Sequence, residues 1–97
     1  MDNESMHILS SEQTREKIEA TRSGDLSAFT DLIQSHEQML LSFALYRLPL
    51  YEEALEAVQD TFVRAYDQLA DFRVDADFGT WLRSICRYIC ALRRSCS

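Results

Sequence analysis

Apolar residues recur along this chain every three to four positions and nowhere alternate over a run, which predicts helices and no strands. On a wheel of about 100° per residue, Leu26, Phe29, Leu32, Ile33, Leu40, Phe43 and Ala44 fall on one broad face of a helix expected from Leu26 to Leu48. A following helix, Tyr51 to Ala70, carries Leu55, Val58, Phe62, Ala65, Tyr66 and Leu69 along one stripe. A last helix, starting at Phe78 or Gly79, buries Phe78, Leu82, Ile85, Ile89 and Leu92. Ahead of these lies a short polar helix, Ser11 to Arg22, too poor in apolar side chains to be stable alone.

Local chemistry marks the ends of these segments. Ser10 with Gln13 offers a capping box, Gly24 a left-handed stop, and Asp25 a side-chain cap for the next helix. Pro49 ends the long helix. Asp71 to Asp77 has no helical period and reads as a loop, whose Phe72 and Val74 are available for packing or for binding. The first ten residues have no period and are expected to form a flexible tail. The expectation is an all-α protein, a compact bundle of three to four helices, and 97 residues fit one domain of modest core.

The polar positions are organised as well. On the third helix, Glu52, Glu56, Gln59, Asp60, Val63 and Asp67 form a second stripe beside the apolar one, either a solvated face or a protein-docking surface. On the last helix Arg83, Arg87 and Arg94 are expected opposite the core, with Trp81, Ser84 and Tyr88 on the flank. Net charge is −6, yet residues 1–77 carry sixteen acids and six bases, net −10, while residues 78–97 carry four arginines and no acid, net +4. Such a change of sign implies two faces with different partners. Arginines neutralise phosphates, and aromatic rings stack on unpaired bases at about 1 to 3 kcal/mol each. Arginines near a helix C-terminus also suit the macrodipole, so the pattern alone fits either role.

Several classes are disfavoured. The most apolar run, Met39 to Leu50, is broken by Ser42, Arg47 and Pro49, so no membrane span is expected. The acidic start lacks the form of a secretory signal, which places the protein in the cytoplasm. Cys86, Cys90 and Cys96 crowd one end of the chain without partner thiols and read as reduced residues at the core margin, not as metal ligands. His36 lies within an apolar face and reads as a buried or half-buried side chain hydrogen-bonded to a neighbour. With no nucleophile–base arrangement and no phosphate loop, the chain does not read as an enzyme, and no cofactor or metal is implied.

Three segments, taken in order, carry a resemblance. Gly24-Asp25, Ala28-Phe29 and Leu32 come first, then Ala54 to Ala65 around Gln59-Asp60-Thr61-Phe62-Val63-Arg64-Ala65, then Phe72-Arg73, Phe78, Trp81-Leu82 and Ile85. Together they resemble region 2 of sigma factors of the extracytoplasmic-function (ECF) group, over about Ser23 to Arg87. The resemblance implies a sigma region 2 fold for residues 23–97, after a tail and short helix in residues 1–22. It implies that the stripe of Glu52, Glu56, Gln59, Asp60, Val63 and Asp67 docks on the clamp helices of the largest catalytic subunit of core RNA polymerase. It also implies that Phe72, Arg73, Val74 and Asp75 shape a pocket for a displaced non-template base of promoter DNA. Arg83 and Arg87 would then grip the backbone, flanked by Trp81 and Tyr88.

The chain departs from that pattern at Glu56, where the family usually has Asp, and at Tyr88 and Leu92, where Asn and Asp are common. No pattern for a second, helix-turn-helix domain occurs in these residues. A piece of a longer factor and a stand-alone domain both remain open. A second reading is a regulatory module that binds polymerase or an anti-sigma factor without contacting DNA.

Overall fold

The computed structural model describes residues 9–73 and 75–96, the last two by their backbone alone. The expected tail as far as residue 8, Val74 and the Cys96 thiol lie outside the described residues. Four α-helices organise the rest: α1 Ser11–Arg22, α2 Leu26–Arg47, α3 Tyr51–Gln68 and α4 Phe78–Cys96, with a 3₁₀ turn at Leu69–Asp71 before the loop.

The helix boundaries follow from side-chain chemistry. Ser10 Oγ accepts from the Gln13 amide at 3.1 Å while Gln13 Oε1 accepts from the Ser10 amide at 3.0 Å, closing the capping box. At the other end of α1, Gly24 adopts φ +106°. The Gly24 amide then donates to Thr21 O and the Asp25 amide to Ala20 O, a Schellman motif that occupies two carbonyls the helix leaves open. Asp25 Oδ1 takes the Ser27 amide at 3.0 Å and opens α2. Helix α2 ends at Arg47, one residue short of expectation, because Leu48 turns to extended backbone ahead of Pro49. Likewise α3 tightens into the 3₁₀ turn after Gln68 instead of continuing to Ala70.

Helices α2, α3 and α4 contact one another, and α1 lies against α2. The molecule is 21 Å across its thinnest axis, which accommodates two layers of helices about 8–10 Å apart. Leu32, Leu40, Ala44, Val58, Phe62, Leu69, Leu82 and Ile89 fill the centre. Ala54, Ala57 and Ala65 are fully buried on α3, where their small side chains permit close approach of the neighbouring helices. Thr61 is also buried, and its hydroxyl donates to Ala57 O at 2.7 Å, so no polar atom there is left unsatisfied.

Three expected core positions are not core. Leu26 is 62% exposed, Tyr66 43% and Leu92 45%. Tyr66 stands at the edge of α3 and meets Phe29 edge-on at 5.0 Å, so Leu26, Val63 and Tyr66 rim an open apolar depression between α2 and α3. On α4 the closest packing runs along Leu82, Cys86 and Cys90, which are fully buried, and this turns Leu92 outward. The two cysteines are therefore central and not marginal, and burial raises the Cys90 thiol pKa to about 11. His36 is half-buried, with Nδ1 2.9 Å from Leu32 O and 2.8 Å from Ser35 Oγ.

Candidate functional site

Regular α3 geometry directs Glu52, Glu56, Gln59, Asp60, Val63 and Asp67 away from the core, and all six are exposed. Val63, 64% exposed, joins this ridge to the apolar depression beside it. The surface thus combines carboxylates, an amide and an apolar margin.

One contact on the ridge is not legible in the sequence. Arg93, from the last turns of α4, places Nη1 3.1 Å from Glu56 Oε1 and Nη2 2.8 Å from Asp60 Oδ2. Glu56 and Asp60 are one turn apart, a spacing that suits a forked guanidinium. Nothing along the chain indicates which arginine fills it. The basic end of α4 and the acidic stripe of α3 therefore share an edge, where charge alone implies two separate faces. Nearby, Arg64 lies over the Tyr88 ring at 5.5 Å from its centroid, so this exposed tyrosine is covered on one side.

The loop between α3 and α4 is built from inside. Phe72 is only 5% exposed and packs against Phe78 at 5.4 Å and Trp81 at 4.8 Å between ring centroids. Of the two uses open to it, packing is the one observed, and its ring forms the base of the loop instead of its surface. Arg73 and Asp75 project outward, paired at 3.2 Å. Both are well exposed, so this pair contributes at most about 1 kcal/mol. Asp77 ends the loop as a cap for α4: its Oδ2 accepts from the Thr80 amide at 2.9 Å and the Thr80 hydroxyl at 2.8 Å. These bonds, that of the hydroxyl first, hold the Asp77 carboxyl below its usual pKa.

Arg83 does not stand opposite the core as expected. It is half-buried, with Nη2 3.0 Å from Thr80 Oγ1 and Nη1 3.6 Å from the Met39 sulfur. The side chain lies back over α2, with its guanidinium against Met39. With Arg15, His36, Asp75 and Asp77 it lines a polar cavity between α1, α2 and the loop. Arg87 and Tyr88 are exposed, and Trp81 is half-buried. Arg22 of α1 also reaches the loop, donating to Leu69 O and Phe72 O. These acceptors lie 47 and 50 positions away, and nothing along the chain marks Arg22 as their partner.

No described helix is long and apolar enough to cross a membrane. Among the described residues no group of three or more His, Cys, Asp and Glu side chains could hold a metal ion.

A model of the family Sigma-70 region 2 matches residues 32–94. The chain is 32% identical over 78 residues to the RNA polymerase sigma-H factor of Pseudomonas aeruginosa, covering 80% of this chain and 40% of that protein. It is 28% identical over 71 residues to the ECF RNA polymerase sigma factor SigW of Bacillus subtilis, covering 73% and 38%. It is 32% identical over 68 residues to the ECF RNA polymerase sigma-E factor of Salmonella typhimurium, covering 70% and 35%. The chain thus spans no more than two fifths of the length of these relatives. No solved structure matches significantly.

Proposed function

We propose, from the premise that this chain belongs to the Sigma-70 region 2 family in its ECF form, that it binds core RNA polymerase and holds melted promoter DNA during transcription initiation. It is in this reading a binding domain and not an enzyme, formed by residues 23–97 with α1 packed against it. Glu52, Glu56, Gln59, Asp60, Val63 and Asp67 meet the clamp helices of the largest polymerase subunit. The observation that carries the reading is the exposure of all six on one face of α3, while the opposite face of the same helix supplies the core.

The non-template strand of the start-proximal promoter element lies along the loop and the α4 flank. Extruding a base costs a few kcal/mol of stacking and pairing, which pocket contacts and phosphate neutralisation must offset. Phe72 and Trp81 give the pocket a rigid aromatic base, Arg73 and Asp75 present polar groups at its rim, and Tyr88 continues the flank. Val74 belongs to the same loop. Arg83 faces the polar cavity and Arg87 faces solvent, so the two serve different stretches of the strand.

The test is binding of a forked promoter fragment to core polymerase with and without this chain. The complex shifts the fork and polymerase alone does not. With Arg83→Ala and Arg87→Ala together, the fork binds more weakly, and the slope of log affinity against log salt falls by about 0.7 for each phosphate that is no longer neutralised. An unchanged slope removes the DNA half of the reading.

A second reading, a module that occupies polymerase or an anti-sigma factor without touching DNA, is favoured by one observation. The α4 arginines Arg83 and Arg93 already make contacts within the fold. Polymerase binding with no shift of the fork at low salt selects this reading.

A further inference from the structure

Among the described helices α1 alone lies wholly outside the matched segment 32–94, and its last residue makes a contact on which the loop depends. Arg22 Nε and Nη2 donate to Leu69 O at 3.1 and 2.9 Å, and Nη2 also donates to Phe72 O. These carbonyls bracket the 3₁₀ turn from which the chain leaves α3. Leu69 O receives the Phe72 amide as well, at 3.1 Å, so one guanidinium joins both ends of the turn. Donors that carry charge make hydrogen bonds roughly twice as strong as neutral ones. A planar fork can hold two carbonyls together, whereas an ammonium acts as a single point.

The position of α1 is itself fixed. Its Schellman end sets the turn into α2, Lys17 pairs with Asp31 of α2 at 2.7 Å, and Ile18 is buried in the core. Arg22 therefore acts from a rigid base. Beyond Phe72, the Phe72–Phe78–Trp81 cluster and the Asp77 cap secure the far side of the loop. Arg73, Asp75 and Ala76 lie between these two anchors, with the Ala76 amide donating to Arg73 O at 2.9 Å, and they follow the Phe72 carbonyl that Arg22 holds.

We propose that Arg22 is a positioning residue for the loop, joining α1 to the promoter-contacting apparatus by fixing the direction in which the loop leaves α3. This rests on the reading of the loop as a DNA-contacting segment. A loop already held in its binding posture need not be ordered when a base arrives, so removing the guanidinium fork weakens DNA binding without altering the polymerase ridge.

The experiment compares the wild-type 97-residue chain with Arg22→Ala and Arg22→Lys. It measures affinity for core polymerase, affinity of the resulting complex for a forked promoter fragment, and amide hydrogen exchange of the chain. The expected result for Arg22→Ala is unchanged polymerase affinity and roughly fivefold to tenfold weaker fork binding. Exchange speeds up at the Phe72 and Ala76 amides but not within α3 or α4. Arg22→Lys recovers only part of the loss. Fork affinity equal to wild type overturns the proposal, and so does a parallel fall in both affinities with faster exchange throughout. If the wild-type complex itself fails to shift the fork, the functional reading fails instead. The positioning role is then decided by exchange: acceleration confined to the loop supports it, and general or absent acceleration overturns it.

Discussion

The α3 ridge and the loop that follows it are adjacent in the chain but specified in different ways. The ridge is set by one helix: once α3 forms, the 3.6-residue repeat alone decides that Gln59 and Asp60 face outward while Val58 and Phe62 face inward. The loop has no repeat to direct it. Its posture comes from α1 through Arg22, from an aromatic cluster shared with α4, and from the Asp77 cap. A surface on a regular helix therefore tolerates local change, whereas the posture of this loop is sensitive to residues far away in the chain.

Three substitutions test this contrast. The largest effect is expected for Phe72→Ala, which empties a buried ring site beside Phe78 and Trp81 and should cost about 3–5 kcal/mol of stability in urea unfolding. A loss below about 0.5 kcal/mol, usual for surface positions, would show that the loop is not rooted in the core. Next is Asp60→Arg, which should weaken core polymerase binding by ~2–3 kcal/mol, roughly 30- to 150-fold. It introduces repulsion toward Arg93 but leaves the core intact, so stability should change by less than about 1 kcal/mol. Equal losses of stability and affinity would mean that the ridge is structural.

The smallest effect is expected for Asp77→Ala, about 1 kcal/mol near neutral pH, since it removes the cap of α4. Because the native Asp77 pKa lies below its unfolded value, the stabilisation is fully present above about pH 4. It is lost as pH falls through the native pKa. Unfolding of wild type and variant across pH should therefore converge in acid, and a constant difference would assign the effect to something other than the ionised cap.

Much of the architecture is legible in the sequence. The capping box, the left-handed Gly24, the Asp25 cap and the Pro49 stop each operate within a few residues, so α1 and α2 begin where that local chemistry places them. The exposed ridge is legible for the same reason. Leu26, Tyr66 and Leu92 depart from expectation because periodicity gives the direction of a side chain, not where the neighbouring surface ends. Arg83 departs from it because its guanidinium meets Met39 of α2, a contact between residues 44 positions apart that exists only once the helices pack.

Sequence by itself determined the all-helical fold, where the helices begin and the polar stripe of α3, since these arise from interactions among residues close in the chain. Tertiary structure alone decided that Arg93 bridges Glu56 and Asp60, 37 and 33 positions away, and that Arg22 holds carbonyls 47 and 50 positions distant. A guanidinium carries no mark of its partner, and which acceptors come within its reach is fixed only when the helices have packed.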